Sequence, residues 1–169
     1  MAKDNFIFIG MFGCGKSTIG KELAKELDYE FLDTDDLLKD RYGKTSLQDI
    51  VDMLGTEEFM KAESDLLKMI KCNKTVISPG GSAVYYPEAM AHLKSLGKCI
   101  YLQYSLSSFR TKVFNWSSRG VVCKTANKTA DAIYKEREPL FKRYVDIEIN
   151  CNDIYQSDIM ARLRQVIGY

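Results

Sequence analysis

Apolar residues fall in short blocks along the chain, and the blocks alternate between two periods. "NFIFIG" (5–10) is brief, apolar and partly β-branched, as a buried strand is, and it ends in glycine. "KSTIGKELAKEL" (16–27) instead spaces Ile19, Leu23 and Leu27 along one helical face, with charges opposite. "YEFLD" (29–33) reads as a second strand. Two helical patterns follow, 46–54 and 56–71. The first opens with Ser46 and Asp49 at capping-box-like spacing, and the second carries Phe59, Leu66, Leu67 and Ile70 as a stripe. "TVIS" (75–78) is a third strand, stopped by "PGGS". A helix is predicted over 87–97, with proline suited to its first turn and glycine at its end. Strands follow at 98–104 and, more weakly, at 146–150, and a last helix at 157–167. Such alternation implies βαβ crossovers and a parallel sheet covered on both faces. The polar stretch 115–128 lies between two helical segments and reads as a surface loop or a lid.

The densest chemistry follows the first strand. "GMFGCGKST" runs from Gly10 to Thr18 and satisfies G-x-x-x-x-G-K-[ST] between a strand and a helix. Glycines let backbone N–H groups converge on an anion, and the helix start adds its positive end. Gly13, Cys14, Gly15, Lys16, Ser17 and Thr18 are therefore the expected nucleotide-binding residues. Lys16 would neutralise the β- and γ-phosphates, and the Ser17 hydroxyl would ligate Mg²⁺. Cys14 fits a small-residue position in this loop better than it fits a reactive thiol.

What happens to the phosphate depends on nearby acids. A regulatory GTPase needs an N-K-x-D base reader, and "NKTV" and "NKTA" lack its Asp. The third strand ends in Ser78-Pro79, without an acid. The acids follow the second strand instead, in "FLDTDD". Strand alternation places Asp33 and Asp35 on one side if the extended backbone persists that far. One could face Mg²⁺ and the other an acceptor hydroxyl; a plain N-cap for "TDDLLKDRYG" would account for Asp36 or Thr34. "SPGGS" (78–82) could hold an acceptor's anionic group or be an ordinary turn.

Composition narrows the field. A chain of 169 residues is expected to form one domain, and a formal charge of +1 gives no basic excess for nucleic acid. No apolar run approaches the roughly 18 residues of a membrane span, and no signal-peptide pattern is seen, so a cytoplasmic location is expected. Five scattered cysteines and a single histidine, His92 in a helical pattern, argue for reduced thiols and against a zinc site. Nothing suggests assembly, and a monomer is the default.

In order and spacing, "FIGMFGCGKSTIGKELAKEL", "FLDTDDLL", "SLQDIV", "FMKAE", "VISPGGSAV", "CIYLQYS" and "YKEREPLFKRY" resemble the shikimate kinase family over nearly the whole chain. The resemblance implies a small P-loop kinase with a five-stranded parallel sheet in the order 2-3-1-4-5. It implies ATP, Mg²⁺ and a small hydroxylated acid, shikimate, as acceptor. It assigns Lys16 and Ser17 to nucleotide and metal, Asp33 to the metal, and Asp35 to the acceptor hydroxyls as base. Gly80 and Gly81 would line the acceptor pocket, Arg119 would be the lid arginine, and Arg137 would pair with the acceptor carboxylate. Arg110 or Lys112 falls near the adenine-stacking position. Met60 stands where the family has an acceptor-binding arginine, Ser82 replaces the third glycine of a triplet, and "RGVV" (119–122) lacks the lid's proline. These departures keep open two alternatives, a relative acting on another polyol, sugar or hydroxy acid, and a nucleotide-binding regulator without catalysis.

Overall fold

The computed structural model describes residues 4–113, 119–124, 126 and 128–169. Its elements run β1 (Asn5–Ile9), α1 (Lys16–Leu27), β2 (Glu30–Asp33), α2 (Thr34–Tyr42), α3 (Leu47–Leu54), α4 (Thr56–Met69), β3 (Thr75–Ser78), a 3-10 turn (Ala83–Tyr85), α5 (Pro87–Leu96), β4 (Gly97–Gln103), α6 (Leu106–Lys112), α7 (Ala130–Tyr144), β5 (Ile147–Asn150) and α8 (Gln156–Ile167). The five strands form one parallel sheet in the order β2-β3-β1-β4-β5, as expected.

The central strand shows why the sheet is covered on both sides. Ile7 and Ile9 point to one face, with Ile77, Cys99 and Tyr101, and meet residues of α4, α5 and α7. Phe8 points to the other, with Val76, Ile100 and Leu102, and meets α1 and α8. Alternation by two within unbroken apolar runs thus fills two separate cores. β3 and β4 lie on opposite sides of β1, so the loop after β1 opens at a topological switch point. A third, smaller cluster joins Leu38, Ile50, Phe59, Leu66 and Val122 beneath that end.

Two boundaries differ from the sequence reading in ways that matter. β2 stops at Asp33 and α2 begins at once, so the strand does not extend through residue 35. Gly97 stops α5 with extended backbone and already starts β4; a Cβ there would stand 2.1 Å from the Asn5 carbonyl oxygen. The expected lid, 115–128, falls partly outside the described residues. Its described portion includes Gly120, packed against Leu47 and Gln48, and the buried Val122.

Asn5 ties the far end of the sheet together. It is 2% exposed; its amide donates to the carbonyls of Cys72 and Leu96, and its side-chain oxygen accepts from Thr75 N–H at 2.9 Å. Asn5→Ala strands all three groups. Urea denaturation should report a loss of about 2–3 kcal/mol, from the cost of buried unpaired polar groups. An unchanged midpoint would show that the network contributes nothing to stability.

Candidate active site

The loop after β1 is built to receive an anion. Gly13 and Gly15 adopt φ of 71° and 86°, left-handed conformations that fold the loop back on itself. Gly15 caps α1 without any side-chain bond to the first amides, and no acid lies in the first turn. The 12-residue helix therefore presents free N–H groups and its positive end to the cavity. Lys16 is folded into the loop, its Nζ donating to the carbonyls of Gly10 at 3.0 Å and Met11 at 2.9 Å. Thr18 is exposed on the cavity wall. Cys14 turns into the core, so it can offer a nucleotide its backbone only.

Asp33 and Asp35 do reach the same cavity, but not by strand alternation. Asp33 is the N-cap of α2: its Oδ1 accepts from the N–H of Asp35 at 2.9 Å and of Asp36 at 3.4 Å. The capping acid is therefore Asp33, not Asp36 or Thr34. Its other oxygen, Oδ2, accepts from Ser17 Oγ at 2.6 Å, and Ser78 Oγ lies 3.4 Å from Ser17 Oγ. Asp35 sits in the first turn of α2 and points inward. Its Oδ1 and the Thr34 hydroxyl are buried and have no hydrogen-bond partner among the described residues. Burial foremost, and then the charges of Glu63 and Asp33, push the Asp35 carboxyl up to about 7, against the pull of Lys16 and Lys39.

A cavity of about 550 Å³ joins these groups; Gly15, Ser17, Asp33, Asp35, Ser78 and Arg119 lie on its wall. Arg119 reaches over the loop, its Nη1 3.6 Å from where a Gly13 Cβ would stand. A smaller recess of about 40 Å³ adjoins it, walled by Gly80, Gly81, Ser82, Glu63 and Arg137. Asp35 and Arg119 line both. Arg137, on α7, is 2% exposed; it donates to the Val122 carbonyl at 2.6 Å and to the Tyr85 hydroxyl at 3.2 Å. Gly81 packs directly on it, leaving 2.8 Å between a would-be Cβ and Nη1.

Sequence reasoning missed Glu63, Tyr85 and Tyr86, and it read Ser82 only as a departure from the glycine triplet, not as a partner of Glu63. The Glu63 carboxyl is buried and accepts from Ser82 Oγ and from Tyr86 OH at 2.5 Å. Burial pushes its carboxyl up; those hydroxyls and Arg137 pull it back. The available signal was an acid in the middle of an otherwise apolar helical stripe. Met60 is partly buried, packs against apolar side chains of two core clusters and is not among the residues walling the two cavities above. Arg110 is tied up in a two-pronged ion pair with Asp131, with Nε 2.8 Å from Oδ1. Lys112 lies over the Tyr104 ring at 4.8 Å and borders a third cavity of about 330 Å³ with Cys151, Asp153 and Tyr155. Lys112 lines that cavity and Arg110 does not.

No helix among the described residues is long and apolar enough to cross a membrane. The family model described as shikimate kinase matches residues 12–168. Shikimate kinases of Francisella philomiragia subsp. philomiragia and Francisella tularensis subsp. novicida are each 32% identical over 162 residues, covering 94% of this chain and 92% of theirs. Among solved structures, shikimate kinase from Acinetobacter baumannii in complex with shikimate superposes with a TM-score of 0.85 at 24% identity, covering 97% of this chain and 92% of that one. The Aquifex aeolicus enzyme gives 0.82 at 23%, covering 96% and 95%. The structural likenesses bear on the fold, and the sequence matches bear on descent. With its P-loop, its paired acids after β2 and its buried arginine on α7, this chain belongs to the shikimate kinase family.

Proposed function

We propose that this protein transfers the γ-phosphoryl group of ATP to the 3-hydroxyl of shikimate. The observation that carries the reading is the place of Asp35, on the wall shared by the phosphate cavity and the recess around Arg137. An acceptor whose carboxylate meets Arg137 would bring a ring hydroxyl toward Asp35. The buried, unpartnered Oδ1 can accept that hydroxyl's hydrogen. A carboxyl held near 7 is a better proton acceptor at neutral pH than an ordinary aspartate, and it orients the attacking oxygen. Lys16 exchanges its loop carbonyls for phosphate oxygens, and Arg119, on the wall of the same cavity, meets the transferring group. Arg137 anchors the far end of the acceptor, while the buried Val122 helps exclude water.

The donor chemistry at the loop fits Mg²⁺. Ser17 Oγ, Asp33 Oδ2 and Ser78 Oγ are oxygens gathered at one point under the phosphate cavity. Among the described residues no three or more His, Cys, Asp and Glu gather as a metal site, so the other ligands would be phosphate and water. Ser17 and Asp33 would hold the ion, which supplies charge neutralisation to the phosphates when bound.

Met60 favours one second reading, a different hydroxylated acid or polyol as acceptor, because the apolar side chain leaves α4 without a cation toward the recess. ATP consumption with shikimate, quinate, gluconate and neutral polyols separates the two. Turnover should be highest with shikimate; a neutral polyol as the best acceptor would overturn the assignment. Lys16→Met should cut kcat by about 10²-fold or more with the fold intact. Asp35→Asn should do the same for any true acceptor while leaving the KM for ATP nearly unchanged. Near-normal turnover in either variant contradicts the role given to that residue.

Asp35 also predicts a pH dependence of stability in the ligand-free protein. Its folded value lies near 7, above the ordinary 3.8, so the folded state holds this proton more tightly than the unfolded chain. That contribution is complete below about pH 4 and is lost as pH rises through about 7. Asp35→Asn removes the titration. The melting temperature of the variant relative to wild type should therefore rise between about pH 5 and pH 8. A constant difference would show that Asp35 titrates normally.

A further inference from the structure

The turn after β3 carries two glycines and then a serine whose side chain points inward. Ser82 is 8% exposed, and its Oγ stands 2.8 and 2.7 Å from the two carboxyl oxygens of Glu63. Tyr86, four residues on, donates its hydroxyl to the same carboxyl at 2.5 Å. Glu63 is 1% exposed and its bonded partners among the described residues are these two hydroxyls; the Arg137 charge acts on it from further away. One turn earlier on α4, Met60 gives it an apolar neighbour. A buried carboxyl held by hydroxyls rather than by an ion pair depends on each of them.

The same turn forms the wall between the two ends of the acceptor recess. A Cβ on Gly80 would lie 2.7 Å from Glu63 Oε1 and 2.9 Å from Asp35 Oδ1. A Cβ on Gly81 would lie 2.8 Å from Arg137 Nη1. The backbone is thus pressed against Asp35 on one side and against Arg137 on the other. It is closed by Ala83 N–H donating to Gly80 O at 3.0 Å, and Tyr85 N–H donates to Ser82 O at 2.9 Å. Ser82 is the side chain that joins this wall to the helix beneath it.

We propose that Ser82 is a positioning residue: through its hydrogen bonds to Glu63 it fixes the Gly80–Gly81 backbone between Asp35 and Arg137, and so sets how the acceptor is held. The proposal rests on the reading that the acceptor binds between those two residues. Ser82 does not line the phosphate cavity, so its effect falls on the acceptor and not on ATP.

Two variants test this, Ser82→Ala without the hydroxyl and Ser82→Thr with it. In the ligand-free protein, exchange of the Ala83 and Tyr85 amides should quicken at least about tenfold in Ser82→Ala and return toward wild type in Ser82→Thr. In turnover, Ser82→Ala should raise the KM for shikimate about tenfold, leave the KM for ATP within about twofold, and be rescued by Ser82→Thr. Unchanged exchange overturns the strut, and KM values for ATP and acceptor that rise together overturn the positioning role. Absence of wild-type turnover with shikimate would instead sink the acceptor assignment, and amide exchange alone would then decide whether Ser82 fixes the turn.

Discussion

The geometry of the cleft depends on one carboxylate. Asp33 ends β2, caps α2 with one oxygen and binds Ser17 with the other. It therefore locks three things at once: the start of α1 with its phosphate loop, the carboxyl edge of the sheet, and the first turn of α2. Asp35 is aimed by that first turn, two residues past the cap. An N-cap bond is usually a device of helix stability, worth about 1 kcal/mol. Here it also aligns the proposed metal-side acid with the proposed base, because both are fixed by the same side chain. A change at Asp33 would thus disturb charge, helix and base together, so its effects would not add to those of its neighbours.

Around this fixed point the site divides by charge and by partnering. The phosphate side is rich in donors: the open start of α1, Lys16 and Arg119. The proposed acceptor side sets the buried Glu63 carboxyl and the half-buried Asp35, whose Oδ1 is enclosed, against one buried guanidinium, Arg137. The two carboxyls differ in what they touch. Glu63 has hydroxyl donors, whereas Asp35 Oδ1 has none among the described residues. A satisfied buried acid holds structure; an unsatisfied one beside a cavity is suited to a substrate hydroxyl.

Much of the frame was legible in the sequence because it is written locally. The apolar runs of β1, β3 and β4 and the glycines and lysine of the loop need no distant partner to be read, and the strand order followed from family resemblance. Asp33 and Asp35 do line one cavity, but not for the reason the sequence suggested. Extended alternation does not continue past Asp33; a cap and a helix turn bring Asp35 to the same cavity. Glu63 with Ser82, and Arg137 with Val122, were illegible as pairs because 19 and 15 residues separate partners that only the packed fold brings together. Met60 was read from its position in a motif, which says nothing of packing; in the fold its apolar side chain lies partly buried against two clusters.

The most direct test is a crystal structure of the protein with ADP, Mg²⁺ and shikimate. The shikimate carboxylate should meet Arg137, and its 3-hydroxyl should lie within hydrogen-bond distance of Asp35 on the side facing the β-phosphate. Shikimate bound elsewhere, or turned so that another group faces Asp35, would contradict the claim that this one acid links the two cavities.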